Sequence, residues 1–196
     1  METFSLIATA AGLGWASGLR LYAVIFALGL LHYLGVTTLP PDLAIAAHPA
    51  VMTASGVMLV VEFGADKVPG LDSLWDAVHT FVRIPGGALL AAGALAGQSA
   101  ELAFAAAILG GTLAAGSHFA KAGSRALINT SPEPFSNWTA SFTEDIAAMG
   151  AVWFALWHPW LTAALLLIFL VLLVWLLPRL LRGIKRIATR IHALFT

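Results

Sequence analysis

Residues 160–177 read WLTAALLLIFLVLLVWLL, a run without a single charged side chain. A helix of about 20 mostly apolar residues crosses the hydrocarbon core of a bilayer, where backbone polar groups must satisfy one another. The run therefore fixes the class as a helical membrane protein. The whole chain agrees: it is 60% hydrophobic and 10% charged, against about 45–50% and roughly 25% for a soluble domain. Ten basic residues balance ten acidic ones, which leaves no field to draw a nucleic acid. The absence of cysteine excludes a disulfide framework, a thiolate metal site and a cysteine nucleophile.

Proline-rich and polar breaks divide the chain into about six spans, each near the length a bilayer demands. They cover about 4–34, 42–66, 71–97, 101–121, 144–157 and 160–177. Pro85-Gly86-Gly87 predicts a kink or break inside the third. Residues 129–143 are polar enough to form a loop or a re-entrant segment. Pro178 predicts the end of the sixth helix. The expected fold is an all-α bundle over residues 1–178, followed by a tail over 179–196.

Eight of the ten Lys and Arg residues fall on one side of this arrangement: Lys67, Lys121, Arg125, Arg179, Arg182, Lys185, Arg186 and Arg190. The positive-inside rule then places both termini in the cytoplasm. The first segment lacks a basic start, so it does not read as a cleaved signal peptide. In the tail, Leu180, Ile184, Ile187, Ile191 and Leu194 recur at helical steps opposite the basic residues. That pattern fits an amphipathic helix on anionic inner-leaflet lipid. Gly14 with Gly18, and Gly93 with Gly97, form small-residue pairs that suit close helix packing within one chain or a homo-oligomer face.

The residues that discriminate function are ionisable ones inside the spans. Each costs about 2.5–3.5 kcal/mol at a helix centre on insertion scales, so each marks a functional site by default. Asp72, Asp76, His79 and Arg83 follow steps of four, three and four, which puts them on one helix face. Glu62 and Asp66 stand four apart just before the turn Lys67-Val68-Pro69-Gly70. His118, Lys121 and Arg125 line the inner end of the fourth span. Arg20 lies mid-span, Glu144 and Asp145 open the fifth span, and Asn129, Glu133 and Asn137 lie in the polar stretch. His48 and His158, each before a proline, read as turn or cap residues.

Crowded carboxylates with a histidine and buried arginines suit a proton- or ion-coupled transporter of a small solute. Asp72, Asp76, His79 and Glu62 would also suit a divalent cation such as Mg²⁺, or Na⁺, through oxygen. A metal there would serve transport or an intramembrane enzyme acting on a lipid phosphate. A third reading is a scaffold whose ion pairs only fix packing. Transporters often carry inverted repeats, and Gly18-Leu19-Arg20 against Gly123-Ser124-Arg125 offers a short candidate pair; His48-Pro49 and His158-Pro159 also recur, but on the same expected side, which fits inversion poorly.

The run Glu62-Phe63-Gly64-Ala65-Asp66-Lys67-Val68-Pro69-Gly70-Leu71-Asp72-Ser73-Leu74-Trp75-Asp76-Ala77-Val78-His79-Thr80 resembles the signature of a membrane family catalogued as domain of unknown function 4126. Asn129-Thr130-Ser131-Pro132-Glu133-Pro134-Phe135-Ser136-Asn137, with Glu144-Asp145 after it, resembles that family's second signature. The resemblance implies a small integral protein of bacterial inner membranes and no activity. It also implies that the two charged motifs belong together.

Overall fold

A computed structural model describes residues 2–130 and 134–194. It is helical throughout: α1 (Glu2–Tyr33), α2 (Pro41–Ala44), a 3-10 turn (Ile45–Ala47), α3 (Pro49–Ala65), α4 (Leu71–Ala94), α5 (Ala100–Ile128), α6 (Pro134–Trp157) and α7 (Pro159–Leu194). By length and composition α1, α5 and the first part of α7 each suit a membrane span. The segments 41–47 and 49–65, bent by 66° at His48, make a fourth as one broken span. The remaining long helices, α4 and α6, have 24 residues each, about 36 Å at 1.5 Å per residue. Their polar residues, not their lengths, set them apart.

α1 is the element that the sequence misrepresents. It is broken at Arg20, whose backbone is non-helical (φ −147°, ψ 73°). Before the break, Phe4 stacks on Trp160, Gly12 faces Ala155 and Thr162, and Gly14 faces Gly110. After it, Phe26 meets Gly56, and Gly29 meets Ala46 and Met52. Leu43, one turn before Ala46, reaches Gly93 near the end of α4. α1 thus bends back on itself, with Arg20 at the apex and both ends toward the face that carries the α4–α5 and α6–α7 connections.

The bend alters the expected topology. Both termini on one face would require α1 to cross once. Phe4 instead sits with the start of α7, while Gly116 meets Phe169 and Leu173 farther along α7. The N-terminal end and the 66–70 turn therefore occupy opposite faces. The first half of α1 and α5 also run parallel, since Gly14, Gly18 and Leu19 meet Gly110, Ala114 and Lys121 in the same order. An inverted pair would run antiparallel.

Three other boundaries differ from expectation. α4 runs unbroken through Pro85, because Gly86 and Gly87 let it lie against Leu21 and Ala114 and packing holds the helix together. The polar stretch is helix from Pro134 onward, a proline at the first helical position, where its missing N–H costs nothing. α7 continues past Pro178 to Leu194. Glu133 lies outside the described residues, as do the side chains of the tail's apolar stripe.

The apolar core gathers on the side away from the 66–70 turn, around Leu13, Leu28, Leu90, Ala91, Leu95 and Ala155. A seam of glycines joins α1, α4 and α5. A Cβ on Gly14 would lie 2.5 Å from the Gly110 Cα, and one on Gly87 would lie 2.5 Å from the Ala114 Cβ. Gly14 and Gly18 thus pack within the chain. Gly93 abuts Leu43, while Gly97 has a positive φ of 92° just after α4. That second pair is not a helix-packing face.

Candidate charged centre

The apex of α1 lies in a set of ionisable side chains drawn from five helices and the turn after α3. Arg20, Glu62, Asp66, Asp72, Arg83, His118 and Arg125 are fully buried, and Asp76, Lys121 and His79 nearly so. Helical spacing on α3, α4 and α5 puts each set on an inward face, as the sequence pattern requires. α6 adds buried Asn137, with Glu144 and Asp145 less enclosed.

Arg83 holds the upper part. It donates to Glu62 Oε1 and to Asp76 Oδ1 (2.8 Å), and it lies 3.1 Å from His118 Nδ1. A guanidinium only donates, so Nδ1 accepts and the imidazole is neutral. Its Nε2–H then donates to Thr80 Oγ1 (2.7 Å), which donates on to the Asp76 carbonyl.

Lys121 sits in the middle, 3.0 Å from Asp66 Oδ2, 3.3 Å from Asp76 Oδ1 and 3.5 Å from Glu144 Oε2. It also donates to the Leu19 carbonyl (3.4 Å). That carbonyl is exposed at the end of the first half of α1, where the helix dipole favours a cation. Arg20 pairs with Asp66, meets Asp145 Oδ1 at 2.8 Å and bonds Ser141 Oγ at 2.9 Å.

Arg125 closes the lower part. It grips Glu144 with two bonds (2.9 and 2.8 Å) and donates to the Asp66 carbonyl and to Asn137. Asp72 accepts from Gly70 N and Ser73 N, so it caps the start of α4. Asn129 spans both Asp72 oxygens and accepts from Asn137 Nδ2 (2.7 Å).

Apart from Glu133, which lies outside the described residues, the residues expected at the site lie in this region, but not in the groupings proposed. His79 faces away from the carboxylates: it bonds the Trp75 carbonyl and Tyr22 and stacks on Trp75. Asp72, Asp76, His79 and Glu62 do not meet at a point, and among the described residues no three acidic or histidine side chains are arranged to hold a metal ion. His48 caps α3 by accepting from Ala50 N. Sequence reasoning missed Ser141, Thr80 and Tyr22. Ser141 lies four after Asn137 and Thr80 four after Asp76, so the helical step could have found both. Nothing in the pattern marks Tyr22.

The charges do not balance. Six carboxylates (Glu62, Asp66, Asp72, Asp76, Glu144, Asp145) face four fixed cations (Arg20, Arg83, Lys121, Arg125). Glu62 Oε2, Asp66 Oδ1 and Asp76 Oδ2 are buried with no hydrogen-bond partner among the described residues. Unpaired buried acceptors are costly, and two excess charges in low dielectric more so. At the rim, Lys67 directs its ammonium over the Phe63 ring (2.8 Å to the centroid) and donates to the Phe63 carbonyl. Partial burial lowers its pKa from the ordinary lysine value.

No curated protein and no solved structure matches the chain. A family model described as "Domain of unknown function (DUF4126)" matches residues 7–179, a stretch that contains both charged motifs and every residue of the centre. The chain, a helical protein of membrane character, belongs to that family.

Proposed function

We propose that this protein is a small ion-coupled transporter of bacterial inner membranes, with the charged centre as its proton- or cation-loading site. The observation that carries this reading is the excess of two carboxylates together with three buried carboxylate oxygens that lack partners. Two protons, or two monovalent cations, would neutralise the excess and occupy two of those three acceptors. The broken α1 supports the same reading. Transporters bind ions where a helix is interrupted and its ends are free, and Arg20 interrupts α1 within the centre.

The scaffold reading draws on a specific observation too: each of the four cations is already paired with a carboxylate. The same pairing counts against a lipid-phosphate enzyme, because no basic group in the centre is left for a phosphate. The basic tail would rest on anionic lipid of the inner leaflet.

The test is a pH jump on proteoliposomes adsorbed to a sensor membrane. A transporter gives a transient charge displacement in the wild type, lost in Asp66→Asn and in Asp76→Asn while both variants remain folded. Absence of displacement in a folded wild type removes the transporter reading and leaves the scaffold.

A further inference from the structure

α6 is held mainly by α1, and its flank toward α3 is open. A crevice of about 270 Å³ occupies that flank, lined by Ala23, Leu59, Val60, Phe63, Met149 and Asp145. Five of the six are apolar. The sixth, Asp145, is a carboxylate with 26% of its side chain exposed, and its Oδ1 meets Arg20 Nε at 2.8 Å. Where α3 and α6 do not pack, Phe63 and Phe142 cross the gap edge to face at 6.1 Å. Lys67 places its ammonium on this aromatic pair, 2.8 Å from the Phe63 centroid and 5.0 Å from that of Phe142.

We infer that the α3–α6 crevice binds an amphipathic organic ammonium ion, with its apolar part against Leu59, Val60 and Met149 and its charge at Asp145 beside the Phe63 and Phe142 rings. Three independent features agree. The crevice is apolar apart from one carboxylate at its inner end, which matches a ligand with one charge. The aromatic faces attract cations, and more strongly when desolvated; Lys67 already occupies them as a tethered ammonium. The centre, Asp145 included, is two charges too negative, so a cation entering there meets a favourable field.

As a transported substrate, this ligand rests on the transporter reading. Charge balance then sets the coupling. The groups around Asp145 are Arg20 on α1, Asp66 and Lys67 after α3, and Glu144 on α6. Lys121 and Arg125 on α5 reach it through Glu144. Protons on the excess carboxylates and an ammonium ion at Asp145 neutralise the same deficit of two charges, so on the doubly protonated centre each ammonium ion that binds displaces one proton. Binding one expels the other, and transport is an exchange of ammonium ion for proton.

The test uses benzyltrimethylammonium and its uncharged carbon analogue neopentylbenzene, measured by calorimetry on the purified full chain in detergent at several pH values. The wild type should bind the cation and not the hydrocarbon. Affinity should weaken as pH falls, by up to about tenfold per pH unit for each proton displaced, and binding should release protons into a weak buffer. Asp145→Asn should weaken binding at least tenfold. Lys67→Gln should tighten it by removing the tethered competitor from the Phe63 and Phe142 rings.

Equal binding of cation and hydrocarbon, or unchanged binding in both variants, overturns the site. Cation binding without proton release, in a protein that shows no pH-jump charge displacement, upholds the site and overturns the transporter. Charge displacement without cation binding upholds the transporter and overturns this substrate class.

Discussion

The seam where α1, α4 and α5 meet and the flanks of α6 represent two ways of building one bundle. In the seam, Gly14, Gly87 and Gly110 bring three backbones together so closely that no methyl group fits. Along α6 the opposite holds. Gly150 has nothing within 4 Å of where a Cβ would be, a crevice opens on the α3 side at Asp145, and another of about 440 Å³ opens on the α5 side at Glu144. Yet α6 supplies two of the centre's six carboxylates, Glu144 and Asp145. The difference separates two roles: the seam fixes the depth and angle of the charges, and α6 supplies the acids that face outward and have room to exchange partners.

This contrast can be broken or sharpened by substitution. The largest effect is expected at the seam. Gly110→Leu adds four carbons where a Cβ alone would lie 2.2 Å from the Ala91 Cβ and 2.7 Å from the Gly87 carbonyl oxygen, so its cost should exceed the roughly 1–3 kcal/mol typical of overpacking and keep the bundle from closing. The expected result is loss of the monodisperse peak in size-exclusion chromatography.

Next is Arg83→Met, which strands Glu62 and Asp76 without their shared cation; breaking a buried pair costs about 3–5 kcal/mol. The double variant with Glu62→Gln should recover part of the lost melting temperature, because one of the stranded charges is gone.

Glu144→Gln is milder. It removes the charge from the Arg125 grip at a crevice mouth, where water and Asn137 can substitute, and about 1–3 kcal/mol is expected. Thermal melts of these variants side by side would rank them; a Glu144→Gln loss as large as that of Arg83→Met would mean α6 is as rigidly built in as the seam.

The smallest effect is at Gly150→Ala on α6. Space is free there, and alanine is favoured over glycine in a helix interior by about 0.5–1 kcal/mol, so the melting temperature should rise slightly. A fall would show that α6 is packed more tightly than its open flank implies.

The charged centre was legible because its physics is periodic. Residues buried on one face of α4 must recur at three and four, and Asp72, Asp76, His79 and Arg83 do. The bend at Arg20 carries no such signal. Local rules assign breaks to proline and glycine, and by those rules Pro85 should interrupt α4 and Arg20 should sit inside a regular helix. Tertiary contacts decide otherwise. α4 is clamped on two sides by close-packed neighbours, whereas the backbone freed at Arg20 is repaid by Lys121, a residue 102 positions away from the Leu19 carbonyl.

The polar stretch misleads for a related reason. Composition marks 129–143 as loop, but Asn137, Ser141 and Glu144 lie on one face of α6, and Arg125 and Arg20 satisfy them. Hydrophilic residues read as loop only when water is the expected partner. His79 shows the converse: its spacing places it on the charged face, but a stacked Trp75 and the Tyr22 hydroxyl turn the ring away from the acids.

The bend at Arg20 also bears on how the protein is made. Arg20 leaves the ribosome 121 residues before Ser141, and still further before Glu144 and Asp145. Until Asp66 follows it, 46 residues later, the apex of α1 is a bare guanidinium, which on insertion scales costs about 2.5–3.5 kcal/mol at mid-membrane. Asp66, with Ala46 and Met52 against Gly29, can hold the returning half before α6 arrives. α1 can therefore bend as soon as α3 is in place, while the Arg20 contacts to Ser141 and Asp145 wait for α6. The bend is set by the third helix and locked by the sixth.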